Sequence, residues 1–312
     1  MNNIPNDQFN NYDDDIDLSE VFNVLWDKRF YVGVITSIFS LISIIVALMQ
    51  PNIYQSKATL MAVEQSSGMS GMVDQYSGMA RLAGISLESK SGSKDQEAIA
   101  RIKSFEFFSN NFLPNIKLEN LMAVKKWTQA SNTLTYDTSD FNSESRQWVR
   151  KAKPPRPNIP TSQEAYEEFI EIMSINKDKK TLLVTLLVEH KSPFIAQQWV
   201  EVMINQIDQV MRDQDRQTAT KSIEYLNSIA PTVNYEDIKR ALSALQQEQM
   251  KRLMMVEAND NYTFKVLDSP IAPELKSQPK RSLIVILGTI LGMMLSVLGA
   301  LVFHYTRKSS NN

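Results

Sequence analysis

Cysteine is absent from the 312 residues, so disulfides and thiolate metal sites are excluded, and the redox compartment is left open. His190 and His304 are the only histidines, and a histidine-rich zinc or iron centre is not expected. Glycine is scarce too. Five of the nine lie between Gly68 and Gly92; the other four, Gly33, Gly288, Gly292 and Gly299, fall in two apolar runs. Nothing resembles GxxxxGK[ST], so a fused P-loop kinase is not expected, and no G-x-S-x-G elbow occurs. Carboxylate pairs exist, Glu167 with Glu168 and Asp213 with Asp215. The second pair sits in "MRDQDRQTATK", which reads as a solvated helix face. No catalytic set, cofactor site or metal site emerges, and the expectation is a protein that is not an enzyme. A formal net charge of −2, without a basic groove interleaved with aromatics, argues against nucleic acid as a partner.

What is present is apolar length. Phe30 to Met49 gives 20 residues without a charge, and Leu283 to Phe303 gives 21. As helices each covers roughly 30 Å, the thickness of a bilayer hydrocarbon core. The first run is too long and too far from the N-terminus for a cleaved signal, and no A-x-A site precedes Pro51. The sequence therefore predicts transmembrane helices at 30–49 and 282–304. Basic residues flank both ends of both spans, but a segment as long as 50–281 crosses largely regardless of charge. The expectation is cytoplasmic tails at 1–29 and 305–312, with 50–281 outside the bacterial inner membrane, in the periplasm. Neither tail is long enough for an output domain.

Along the outer segment, "IYQSKATLMAVEQ" (53–65) reads as a strand. Gly-rich residues 68–92 read as flexible, with an amphipathic piece at Met69, Met72, Val73, Tyr76, Met79 and Ala83. Ser93 with Gln96 is a capping-box pattern opening one helix that Pro114 ends. Residues 119–160 read as irregular, closing in the proline-rich connector "KAKPPRPNIPT". A helix from Ser162 precedes a strand-turn-strand at "SINKDKKTLLVTLLVEH". There Leu182, Val184, Leu186 and Val188 alternate with Leu183, Thr185, Leu187 and Glu189, which predicts a central strand covered on both faces.

From Ser192 a helix of nearly 40 residues begins, with Ala196, Val200, Met203, Ile207 and Val210 on one stripe. A second helix carries Ile238, Leu242 and Leu245, and "YTFKVLD" returns as a strand. Val200, Met203, Ile207, Leu242 and Leu245 are the expected helix or oligomer packing positions, because so long a helix with a polar middle needs a partner. The fold class expected is an α+β membrane protein. Two transmembrane helices flank a periplasmic domain, whose membrane-proximal α/β base takes in 53–190 and 262–268, with long helices at 193–258 projecting from it.

Small residues recur at fourfold spacing in the second run: Gly288, Gly292, Ser296 and Ala300, with Gly299 nearby. Gly33, Ser37, Ser40, Ser43 and Ala47 recur at spacings of three and four in the first, again along one helix face. Such stripes let helix backbones approach in lipid. Pro270, Pro273 and Pro279 favour extended backbone and predict a stiff stalk before the second span.

Three stretches carry a family likeness. "IDLSEVFNVLWDKRFYVGVITSIFSLISIIVALMQPNIYQSKATL" resembles the N-terminal signature of the Wzz-type chain-length determinants, or polysaccharide co-polymerases, of bacterial surface polysaccharide assembly. "DKKTLLVTLLVEHKSPFIAQQWVEVMINQID" is similar to their strand and Ser-Pro helix start. "LSALQQEQMKRLMMVEANDNYTFKVLDSPIAPELKSQPKRSLIVILGTILG" is similar to their last helix, strand and proline-rich span. Pro270, Pro273, Pro279, Gly288 and Gly292 fall on the family's proline and glycine positions; Met293 stands where a further glycine often follows. The resemblance implies a non-enzymatic protein that forms a homo-oligomeric ring in the periplasm. It would sit in membrane lipid beside a Wzy-type polymerase and its lipid-linked polysaccharide, and set the modal length of O-antigen or a related glycan. Two other readings stand beside it: an adaptor for capsule or exopolysaccharide export with a separate tyrosine kinase, and a glycan-active enzyme with scattered carboxylates.

Overall fold

The computed structural model describes residues 24–63 and 94–310. It divides into two units: Met1–Pro51 with Gln278–Asn312, and Asn52–Ser277. The amphipathic piece at Met69 to Ala83 and the Ser93 cap lie outside the described residues. In chain order the main elements are α1 (Arg29–Met49), β1 (Tyr54–Ala62), α2 (Lys94–Ile102), α3 (Leu118–Met122), β2 (Val124–Thr128), β3 (Thr133–Tyr136), β4 (Phe141–Asn142), β5 (Gln147–Trp148), α4 (Ser162–Ile172), β6 (Met173–Lys177), β7 (Val184–His190), α5 (Pro193–Ile229), α6 (Glu236–Ala258), β8 (Phe264–Asp268) and α7 (Arg281–Ser310).

The first unit is an antiparallel pair, α1 and α7. Both are long and apolar enough to cross a membrane, and most of their side chains face outward. α1 stops at Gln50, held extended by Pro51.

The second unit is built on an antiparallel sheet of order β6-β7-β1-β8. Ala58 opposes Leu186, and Ser56 opposes Val188. Period-two alternation sends Tyr54, Ser56, Ala58, Leu60, Val184, Leu186, Val188, Met173 and Ile175 to one buried face. α5 covers that face with Ile195, Trp199, Val200, Met203 and Ile207, and Phe107, Phe108, Phe112 and Phe169 complete the core. Trp199 meets Phe112 edge-on at 5.9 Å.

Three expectations change. β7 is an internal strand but is not covered on both faces: Thr185, Leu187 and Glu189 stay half-exposed. Their neighbours on that face are Gln55, Lys57, Ser174 and Asn176, too polar to seat a second layer. The helix after residue 93 is broken rather than continuous. It yields to an extended Ser104, whose hydroxyl accepts from Phe107 N–H, and resumes as short turns to Asn115. Residues 119–160 are not all irregular, since they hold α3 and two hairpins, β2-β3 and β4-β5.

α5 opens with Ser192 and Pro193, proline being suited to the first helical turn, and gives way to a short turn containing Pro231. Its 37 residues span roughly 55 Å. Beyond Met211 only Ala219 and Leu226 are buried along it. Leu226 joins Leu242 and Leu245 of α6 in a small second cluster with Ile229, Val233 and Ile238.

Candidate functional site: a glycine-packed helix pair and a clamped helical arm

In the first unit, contact follows one face of α7. Gly288 and Gly292 line it, with Ser296 and Ala300 buried. A Cβ on Gly288 would stand 1.8 Å from Ser43 Oγ and 2.7 Å from Ser43 Cβ; one on Gly292 would stand 2.4 Å from Phe39 Cβ. The Thr36 and Ser296 hydroxyls are 3.3 Å apart, and the Lys28 amine lies 5.5 Å from the centre of the Phe303 ring. The two backbones therefore approach as small-residue packing requires.

The stripe expected on α1 is met at Ser43 and Ala47 but not at its first two positions. Gly33 and Ser37 are exposed, and nothing lies within 4 Å of a Cβ on Gly33. Ser40 is half-buried. The contacting residues are Thr36, Phe39, Ser43 and Ala47. Phe39 fits because Gly292 opposite supplies the room, so only one helix of the pair needs to be small at each crossing. Gly299 also points into open space.

In the second unit, Val200, Met203 and Ile207 lie fully within the subunit's own core, and Leu242 and Leu245 pack against Leu226. All five make packing contacts inside one chain. Pro270 is buried and Pro273 half-buried, and the segment they stiffen runs along the start of β1. Ser56 Oγ donates to Ile271 O at 2.8 Å, and Ser277 N donates to Ile53 O at 2.9 Å. Pro279, in the first unit, is half-buried.

A polar clamp, invisible as such in the sequence, fixes the root of the helical arm. The Asp208 carboxylate accepts from the N–H groups of Tyr262 and Thr263, each at 2.8 Å, and from Arg212 at 2.8 Å. Arg212 also donates to Val256 O, Asn259 O and Asp260 O, neutralising the carbonyl end of α6. Asp215 pairs with Lys94 and accepts from the Tyr262 hydroxyl, and the Lys94 amine lies 4.1 Å from the centre of the Tyr262 ring. The solvated-face reading thus fails at Asp215, which is held between α2 and Tyr262; Asp213 pairs with Arg216 at the surface. Lys177 pairs with the buried Asp95.

His190 is neutral and structural. Its Nδ1 accepts from Ser192 N–H at 2.9 Å, its Nε2 lies 2.9 Å from Asn120 O, and burial lowers its pKa from 6.5 to about 4. Among the described residues no three His, Asp or Glu side chains converge as metal ligands. The charges of the clamp are bound to one another and to main-chain groups, an arrangement suited to holding helices in place.

These features define an α+β membrane protein with a tightly packed pair of spanning helices. Residues 14–109 match the family model described as "Chain length determinant protein". Residues 236–304 match a second model, "G-rich domain on putative tyrosine kinase". Comparison with curated protein sequences finds no match. Among solved structures, a full-length bacterial polysaccharide co-polymerase is similar at 13% identity and a TM-score of 0.42, covering 94% of this chain and 99% of that one. A fragment of WzzB, the polysaccharide co-polymerase from Salmonella Typhimurium, is similar at 12% identity and a TM-score of 0.27, covering 73% of this chain and all of that one.

Proposed function

We propose that this protein is a non-enzymatic regulator of polysaccharide chain length, acting as a homo-oligomeric scaffold in the bacterial inner membrane. In this reading residues 30–49 and 282–304 span the bilayer, both termini are cytoplasmic, and residues 50–281 form the periplasmic domain. The scaffold works on lipid-linked polysaccharide beside a Wzy-type polymerase and sets the modal length of O-antigen. The observation that carries the reading is the chain length determinant match over residues 14–109. The saturated polar clamp supports it physically, since its carboxylates are occupied by internal partners.

A second reading is favoured by the match over 236–304 to a domain described on tyrosine kinases. There the protein serves capsule or exopolysaccharide polymerisation and export, together with a separate kinase. One experiment separates the two. In a deletion strain, the first reading expects the modal lipopolysaccharide ladder to become random while capsule is unaffected; the second expects the reverse. If neither polymer changes, both readings fail.

A further inference from the structure

Two aliphatic side chains of the second unit are far more exposed than a water-facing surface favours. Leu275 is 84% exposed and Ile271 is 68% exposed, and both lie on the proline-rich segment after β8. This segment is not loose, because Ser56 holds Ile271 O and Ser277 holds Ile53 O. Both side chains are therefore displayed from a backbone fixed against the first residues of β1.

More apolar surface gathers at that end of β1. The Tyr54 ring meets Trp127 edge-on at 5.3 Å, and Trp127 meets Phe194 at 6.1 Å. Phe194 is half exposed. Trp127 projects from the β2-β3 hairpin beside the exposed Lys125 and Lys126, and Lys276 follows Leu275. Glu274 is the acidic neighbour on the proline-rich segment.

The sequence ties this end to the bilayer. Tyr54 follows Met49, the last residue of α1, by five positions, and Leu275 precedes Arg281, the first of α7, by six. Six residues reach at most about 20 Å even when fully extended. Tyr54 and Leu275 are tethered within that reach of the spans, and the aromatic rings, aliphatic tips and lysines around them match the composition of a membrane–water interface. Lysine amines beside such rings suit lipid phosphates.

We propose that this end of the second unit rests on the lipid surface, with Leu275 and Ile271 entering the headgroup layer and the Trp127–Phe194 pair lying against it. The partner is phospholipid, and the contact fixes the height and tilt of the unit above the bilayer. The inference rests on reading α1 and α7 as membrane spans.

The absence of cysteine makes the test direct. Full-length L275C, I271C, L182C and I290C are each labelled with an environment-sensitive fluorophore. They are then reconstituted in phosphatidylethanolamine–phosphatidylglycerol vesicles. Leu182 is an exposed control in the β6-β7 turn, and Ile290 is an outward-facing control within α7. Labels at 275 and 271 should be quenched by headgroup nitroxide lipid and be several-fold less accessible to aqueous iodide than the label at 182. The label at 290 should be quenched by acyl-chain nitroxide. Iodide access at 275 and 271 equal to that at 182 overturns the proposal. So does shielding from iodide without lipid quenching, which would mean a protein covers the site. Loss of acyl-chain quenching at 290 overturns the span reading and the proposal together.

Discussion

Ser43 Cβ stands 2.7 Å from the point that a Cβ on Gly288 would occupy, closer than real carbon atoms pack. Turning the Ser43 hydroxyl aside, away from its bond to Phe39 O at 2.8 Å, does not relieve that contact. Any side chain at 288 must push the helices apart. Gly288→Leu should therefore sharply reduce disulfide crosslinking between cysteines placed at 36 and 296, whose native hydroxyls are 3.3 Å apart. Gly33→Leu should leave the yield unchanged, since nothing lies within 4 Å of its Cβ. Equal yields from both variants would mean that the pair is not held by this face.

Arg212 reaches both Asp208 and the carbonyl end of α6. Arg212→Ala should cost about 2 kcal/mol, because it strands part-buried acceptors as well as removing hydrogen bonds. Thermal unfolding followed by circular dichroism should register the loss, with faster amide exchange at the end of α6. Arg212→Lys should not restore stability, since an ammonium cannot copy the guanidinium fork. Full recovery with lysine would reduce the clamp to simple charge pairing.

Below pH 7 the fold should weaken through His190. Buried as a neutral ring, it takes its proton only near pH 4, whereas the unfolded residue takes it near 6.5. Between those values the unfolded state binds the extra proton, so stability falls as pH drops through this window. The loss is about 3 kcal/mol once pH is below the folded value. His190→Gln should flatten that part of the profile relative to wild type; parallel profiles would exclude His190 as the source.

Leu182 holds φ at +59° in the β6-β7 turn, in the left-handed region, with its side chain exposed. Leu182→Gly should relieve the crowding and stabilise the unit by about 1 kcal/mol, read as a higher unfolding midpoint. A destabilised variant would show that the leucine side chain has a packing role in the assembled protein.

Much of this architecture is legible in the sequence because it repeats. The period-two run through Val184, Leu186 and Val188 and the helical stripe through Val200, Met203 and Ile207 fall where the core needs them. Gly288, Gly292, Ser296 and Ala300 likewise share the contact face. The partner stripe is only partly legible: Ser43 and Ala47 fall on the contact face, while Thr36 and Phe39 do not stand out. Small size drew attention to Gly33 and Ser37, while the contact uses Phe39, whose fit depends on a glycine some 250 positions away along the chain. The clamp was hidden for a similar reason. "MRDQDRQTATK" has the composition of a solvated helix, and only the arrival of Tyr262, Lys94 and the end of α6 turns Arg212 and Asp215 inward. The β2-β3 hairpin was missed because Lys125 and Lys126 are exposed, which leaves "VKKWT" with little apolar alternation.

The most direct test of the account is the glycan length distribution on a gel from a deletion strain complemented with wild type, Gly33→Leu or Gly288→Leu at matched expression. Wild type and Gly33→Leu should restore the modal cluster, and Gly288→Leu should leave a random ladder. A modal cluster restored by Gly288→Leu, or present without any complementing copy, would contradict the claim that this helix pair supports length control.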